Sequence, residues 1–506
     1  MWHWQGCPHL GTTLEKHFLL LPHEIMGQLH RFRYPEFQRL FEGEPTALRD
    51  FWSHEWQQGW ARTNPELQSR FCRATDVTAV PVGLHGDDAQ YVKNGKLLIL
   101  SLNGPLCRTS GSRLVLTVLD CARVTEQTLD EIYSVVVWSL KCLSNGAWPA
   151  CGHLGQSFVG TRTWRAKLAK QPLLGGRIGI WSETCGDWKW LKETFRLRHY
   201  ANKSVCHLCG ATKEDGASNY MQTGPGAAWR QLRVTHVEWT NSFQADKLPM
   251  LARVVGFCLD RVFIDSMHCV DMGCTPYFLG SCLWDLVVCG PAFPEERSRN
   301  MKLSRAYADY RAFCQAHDIQ TVTGPWTLEK LNRKTAVDFP FLKCKANEAK
   351  KALPYVTALC KRLDDGSDKS SWRLAAAWGL CEYYAILDRN GRYLPASELA
   401  QLQFAVGTFL RCYAALCSTA QSLGERCWHW VPKHHMFEHI ADTVAPQVTP
   451  AHASCYPDED LLCFCVVGNC WQGGLAVCSG PPQVRMPRRM WLAAWPRQRA
   501  KPIDKQ

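Results

Sequence analysis

The chain reads as a mixed α/β protein, an α+β mixed sheet whose core is interrupted by a large, mostly helical insertion, and three observations lead there. Three short β-type apolar runs follow one another between residues 78 and 119. A helix, a further strand and a second helix follow by residue 195. Periodic helical segments then fill roughly residues 200–430, before acidic residues reappear at the head of a last helix. At 506 residues the chain is too long for one small module and long enough to bury a sizeable core.

Residues 1–75 form an N-terminal region rich in aromatic residues and His, with helical spacing from Pro22 to Trp60 (Ile25, Leu29 and Phe32, then Phe37, Leu40 and Phe41). Residues 76–200 carry the first part of the sheet core. Its runs Thr78–Leu84, Lys96–Leu102 and Leu114–Leu119 are separated by Asp-Asp, Asn-Gly and Gly-Ser turn signals, the pattern of a three-stranded meander. Thr128-Leu129-Asp130-Glu131 has capping-box spacing and precedes Ile132, Val135, Val136, Ser139 and Leu140, an amphipathic helix ending near Asn145-Gly146. Arg177–Trp181 is a fourth strand, after which Asp187 opens a helix with Trp188, Leu191 and Phe195 on one face. Strand, strand, strand, helix, strand, helix is the order of the ribonuclease H fold.

Residues 201–430 read as the helical insertion, opening on a Cys-x-x-Cys knuckle. Its segments include Asn347–Arg362, expected to break or kink at Pro354, and Trp372–Leu387. Residues 431–475 return to the core with the third acid, and residues 476–506 are a basic Pro/Arg-rich tail expected to be disordered.

Composition narrows the function classes. Hydrophobic residues are 46% and charged residues 21%, which excludes a largely disordered or collagen-like chain. The 58 Lys+Arg against 46 Asp+Glu give a net charge of +12, which permits a nucleic-acid partner without requiring one. The chain opens Met1-Trp2-His3-Trp4 without an export signal, and the apolar run Phe18–Leu21 stops at Pro22. The richest apolar stretch, Val262 to Val288, carries Asp265, His268, Asp271 and Asp285, so no membrane span is expected. An intracellular, soluble protein follows, whose 26 cysteines are buried thiols and metal ligands rather than disulfides.

Several clusters can carry chemistry. His85-Gly86-Asp87-Asp88 ends the first predicted strand, where carboxylates suit Mg²⁺ or Mn²⁺ and two such ions about 4 Å apart can clamp the attacking and leaving oxygens of a phosphodiester; an Asx turn uses the same residues. Asp187 follows the fourth strand, which neighbours the first in a ribonuclease H sheet, and it equally suits a helix N-cap. Tyr456-Pro457-Asp458-Glu459-Asp460 offers a third acid at a helix start that also satisfies the helix dipole. Cys206-x-x-Cys209 has the spacing for one Zn²⁺, with His199, His236, Cys185 and Cys258 as candidate further ligands. Asp265 and His268 can act on a substrate or lock a helix start. His435-x-x-Glu438-His439 matches the spacing of one class of zinc peptidases, in which two His share a helix face and Glu activates water. Lys343, Lys345, Lys350, Lys351, Lys361 and Arg362 form a basic patch suited to phosphates or simply to solvent.

Taken in order, these segments resemble the DDE transposases of CACTA (En/Spm) type and related transposon-derived families, over roughly residues 76–465. His85-Gly86-Asp87-Asp88 is similar to the Gly-Asp-Gly of the first catalytic segment, Cys185-Gly186-Asp187 to the second, and Cys206-x-x-Cys209 to the cysteine knuckle after it. Asp265-x-Met267-His268 looks like the family's Asp-x-Met-His helix start. Pro432-Lys433-x-His435-Met436-x-x-His439 and Tyr456-x-Asp458-Glu459-Asp460 look like the late block that presents the catalytic Glu.

The resemblance implies a ribonuclease H-like core, with Asp87, Asp187 and Glu459 holding two Mg²⁺ or Mn²⁺ and Asp88, Asp265 and Asp458 as alternates. It also implies cleavage of DNA at transposon ends with joining to target DNA and a nuclear location; a structural Zn²⁺ is expected from the Cys206-x-x-Cys209 spacing, and a homo-oligomer is a further expectation, the sequence itself not setting the oligomeric state. Asp88 stands where the family has Gly, and Val444–Pro450 lacks its Asn-Pro-Arg, as in a degenerate or truncated copy. Two other readings are a catalytically inactive transposon-derived module that binds DNA or protein and, ranked lower, the zinc metallopeptidase.

Overall fold

The computed structural model describes residues 2–3, 17–69, 79–107 and 112–467. The basic tail at 476–506 lies outside them. The described chain divides into two compact units, one of Met1–His199, Val234–Phe263 and the segment from Cys455, the other of Tyr200–Arg233 and Ile264–Ser454.

The first unit is built on a five-stranded mixed sheet: β1 (Ala79–Val92), β2 (Gly95–Asn103), β3 (Arg113–Asp120), β4 (Ile178–Gly186) and β5 (Val262–Ile264), in spatial order β3-β2-β1-β4-β5. β1 to β3 form the predicted antiparallel meander, and β4 pairs parallel with β1, as Leu84↔Thr184. Sequence reading ended β1 at Leu84, but the strand runs on to Val92. Gly86↔Leu100, Asp87↔Ile99 and Asp88↔Leu98 are ladder pairs, so Asp87-Asp88 is not a turn. The reversal falls at Lys93-Asn94, between Val92 and Gly95, where the Asn-Gly signal stood.

Helices α1 (Pro22–Phe32), α2 (Ala47–Ser53) and α3 (Glu55–Thr63) occupy the region predicted helical. The amphipathic helix is α4, Glu126–Asn145. Its cap lies three residues earlier than expected, because Thr125 and Thr128 bond reciprocally as the capping box, and it ends at Gly146 with φ 67°. α5 (Trp188–Phe195) follows β4 directly.

Strand alternation gives the sheet two different faces. Val80, Val82 and Leu84 of β1 join Val136, Leu140 and Leu143 of α4 and Trp190, Leu191 and Phe195 of α5 in one apolar core. Gly86 and Gly186 both lie under the Trp190 indole, where a Cβ would collide with the ring. On the other face, Ala79 packs with Phe51, Trp52 and Trp60. Farther along, Leu97 and Ile99 of β2 pack against Leu461 and Leu462 of the last described helix, α12 by chain order (Tyr456–Val467). Under α1, buried His23 shares the Ser139 hydroxyl through Nδ1 at 2.7 Å. Burial, reinforced by Arg165, pulls its pKa down to about 3.

The second unit is largely helical: α6 (Thr275–Leu283), α7 (Arg299–Ala316), α8 (Ala346–Arg362), α9 (Asp368–Arg389), α10 (Ala396–Ser422) and α11 (Pro432–His439). α8 is not broken at Pro354. The proline forfeits one backbone bond, while Leu353, Tyr355, Val356 and Leu359 around it are buried and hold the helix together. α9 and α10 pack closely because Gly379 faces the α10 backbone, where a Cβ would sit 2.6 Å from the Ala405 carbonyl oxygen.

The predicted domain boundaries therefore shift. Residues 234–263 return to the sheet unit, because Trp239, Leu251, Val254, Phe257 and Leu259 belong to its core. Residues 431–454 stay with the helical unit rather than the core. No helix among the described residues is long and apolar enough to cross a membrane.

Candidate metal centres

The first centre lies on the α12 face of the sheet. His85, Asp87 and Ala89 alternate onto that face, and all of Asp87 but 5% is buried. α12 starts with Pro457 in its first turn and lays Leu461 and Leu462 on β2. Burying two leucines contributes roughly 3–6 kcal/mol toward holding the helix there. The result brings a carboxylate oxygen of Asp87 and one of Glu459 within 4.8 Å of each other across 372 residues of sequence (459 − 87). Two carboxylates at that separation suit a hard divalent cation.

The remaining acids sort themselves by geometry. Asp88 points to the opposite face, where its Oδ2 accepts from Lys189 at 2.7 Å and Lys96 at 3.0 Å. Partial burial pushes its pKa up, but the two lysines outweigh that and hold the carboxyl below its ordinary value. Strand alternation thus puts Asp87, not Asp88, on the face that α12 covers. Asp187 stands three residues past the last β1–β4 pair, as Asp87 does on β1. Its carboxylate nevertheless caps α5, with Oδ1 accepting from Trp190 N at 2.6 Å, and it is not within the Asp87–Glu459 group. Asp458 is bound by both oxygens to the Arg113 fork, at 2.9 and 3.2 Å, so this alternate is taken up in an ion pair. Asp265 accepts from Met267 N at 2.9 Å and His268 N at 3.2 Å and pairs with the His268 ring, which locks a helix start in the second unit.

The second centre lies wholly in the helical unit. Ligand atoms of Cys206, Cys209, His435 and His439 lie within 4.8 Å of one another, and all four residues are buried. Cys209 Sγ is 3.3 Å from His435 Nε2 and 3.4 Å from His439 Nε2, and the two Nε2 atoms are 3.2 Å apart. Tetrahedral zinc with ordinary Zn–S and Zn–N bonds has edges of about 3.6 Å between S and N and about 3.3 Å between N and N. The four residues fit that group closely. The i, i+4 spacing on α11 puts both His on one helix face, with Trp229 against both rings at 4.5 and 5.0 Å.

Sequence reading had the two halves of this set in separate hypotheses. The expected further ligands do other work: His199 packs edge-on to Trp188, His236 accepts from Leu259 N, Cys258 lies 3.9 Å from Asp260, and Cys185 lies 3.8 Å from Cys455. Glu438, which a peptidase would need for water, is fully engaged. It accepts from Gly224 N at 2.8 Å and Thr223 Oγ1 at 3.0 Å and pairs with Arg230, which also holds Asp442 at 2.6 Å. Four protein ligands leave no open position, so the centre has the form of a structural site.

Of the predicted phosphate-binding lysines, Lys350 is paired with Asp388 at 2.9 Å and Lys351 with Glu348 at 3.4 Å, both largely covered. Arg362 holds Asp309 at 2.8 Å. Lys343 is half-buried and Lys345, at the head of α8, is exposed. The residue sequence reading missed is Arg113: nothing near it marks a partner 345 positions away. No protein-family model matches the chain, and no curated protein does.

Proposed function

We propose that this protein is a transposase-like nuclease in which Asp87 and Glu459 hold divalent Mg²⁺ or Mn²⁺ for DNA strand cleavage and transfer, as the resemblance to CACTA-type DDE transposases implies. The observation that carries the reading is the meeting of Asp87 and Glu459 on one face of a sheet whose strand order is that of a ribonuclease H-like core. Bound there, the ions would supply charge neutralisation at both the attacking and the leaving oxygen. The chain's own part is to present two carboxylates from a rigid strand and a helix start, and to keep Asp88 out of the site on the other face. Asp187 is level with Asp87 on the neighbouring strand and would complete the set by giving up its capping bond. The buried Cys206, Cys209, His435 and His439 set supports a structural Zn²⁺ in the helical unit. DNA as the partner and a nuclear location rest on the resemblance alone.

One observation favours a second reading, the inactive DNA- or protein-binding module: Asp187 is used as a helix cap and stands outside the carboxylate pair. A nicking assay on plasmid DNA with Mg²⁺ or Mn²⁺ separates the two. Activity lost in Asp187→Asn, which keeps the cap, supports the nuclease. Absence of any metal-dependent nicking by the wild type, together with DNA binding that ignores the metal, supports the module.

A further inference from the structure

The Arg113–Asp458 pair stands beside the carboxylates without belonging to them. Asp458 and Glu459 are consecutive residues in the first turn of α12, and both backbone N–H groups donate to Cys455 O, at 2.9 and 2.8 Å. The Asp458 side chain points inward and is almost fully buried. It receives Arg113 Nε on Oδ1 and Nη2 on Oδ2, a parallel two-bond fork. The guanidinium is fixed from behind as well, with Nη1 donating to Ser112 Oγ at 2.9 Å. His85, two residues before Asp87 on the same face, sets its Nδ1 3.7 Å from Asp458 Oδ1. The group His85, Cys455 and Asp458 has donor atoms close enough for a metal, but both Asp458 oxygens are spent on Arg113, so the cluster is an ion-pair lock rather than a metal site.

The leucines of α12 hold it to the sheet through non-directional contacts, which leave rotation and sliding of its first turn unspecified. A two-bond fork to the first residue of β3 does specify them. We propose that Arg113 and Asp458 are positioning residues: their fork sets the rotation of the α12 start and thereby points the neighbouring Glu459 carboxylate at Asp87. This rests on the two-metal reading above. A buried ion pair is a poor source of net stability compared with apolar residues of the same volume, so stability alone gives little reason for this one, whereas fixing register is a recognised use of such pairs.

The test is Mn²⁺ binding to the full-length protein, followed by electron paramagnetic resonance well below the melting point, in wild type, D87N and the double variant Arg113→Met with Asp458→Leu. The double variant is expected to melt near or above the wild type, yet to bind Mn²⁺ at least tenfold more weakly and to nick DNA with a lower kcat at unchanged KM. Wild-type Mn²⁺ affinity and kcat in a folded double variant would overturn the positioning role while leaving the two-metal reading intact. Wild type that binds no Mn²⁺, or binds it equally well as D87N, overturns the two-metal reading and the positioning role with it. If the double variant does not fold, Arg113→Lys is measured instead, since it keeps the charge and loses the fork. A tenfold loss of Mn²⁺ affinity in that folded variant supports the proposal, and unchanged affinity overturns it.

Discussion

Removing the proposed zinc from the helical unit has a cost that follows from the spacing of its four candidate ligands. The proposed ion would tie Cys209 to His435, 226 residues apart, and so cross-link the unfolded chain over a long loop. The loop-entropy relation for a cross-link of that length gives about 5 kcal/mol, an upper figure because the denatured chain retains some structure. The described part of the unit holds 225 residues, 34 in Tyr200–Arg233 and 191 in Ile264–Ser454. At that size each kcal/mol moves the melting temperature by about 2–4 °C, so loss of the metal lowers it by roughly 10–20 °C. Elemental analysis should find one zinc per chain in the wild type and none in Cys206→Ser/Cys209→Ser. Calorimetry should show the melting transition falling by this amount both in that variant and in chelator-treated wild type. One zinc per chain retained in the double variant, or apo and holo proteins melting within about 2 °C of each other, would refute the four-ligand assignment or the cross-link argument respectively.

Asp88→Asn removes only a two-lysine pair on the far face, so Mn²⁺ affinity by calorimetric titration should stay within about twofold of wild type, while Glu459→Gln lowers it at least tenfold. Asp187→Ala loses a helix cap and should cost about 1 kcal/mol in denaturant unfolding, whereas Asp187→Asn, an equally good cap, should cost little. Leu461→Ala should cost about 2–5 kcal/mol and weaken Mn²⁺ binding with it, because the cavity lies under the helix that carries Glu459. His23 is neutral when folded, with its pKa lowered to about 3 against an unfolded value near 6.5. The unfolded state therefore binds more protons between those values, and the stability contributed by His23 is whole above pH 6.5 and lost as pH falls toward 3. The slope approaches about 1.4 kcal/mol per pH unit within that window, and denaturant titrations of His23→Asn should show it flattened.

The parts of the fold written in local periodicity were legible. The meander, α4, β4 and α5 follow from apolar spacing and turn residues, and Gly146 ended its helix where expected. The Asp-Asp of β1 misled because a charged pair in mid-strand imitates a turn; only pairing with Leu98 and Ile99 and the lysines beyond it makes the strand continue. For the carboxylate centre, Asp87 and Glu459 were named from motif order. Which of Asp87 and Asp88 faces α12 depended on strand phase, which a strand end misplaced by eight residues could not give. The four residues of the proposed zinc site were all noticed, but as a knuckle and a helix motif kept apart, since no local rule joins positions 226 residues distant. Arg113 was invisible for the same reason.

The union of β1 with α12 also fixes when the carboxylate pair can exist. Asp87 leaves the ribosome 372 residues before Glu459 (459 − 87), an interval of roughly 20–75 s at ordinary rates of synthesis. Through most of that interval the growing chain carries Asp87 without its partner, and the four residues of the proposed zinc site are complete only once His439 is made, 20 residues before Glu459 (459 − 439). No nascent chain that stops short of α12, and no product truncated ahead of it, can assemble the pair. Any phosphodiester-cutting competence the pair confers is therefore reserved for molecules whose translation has run past α12.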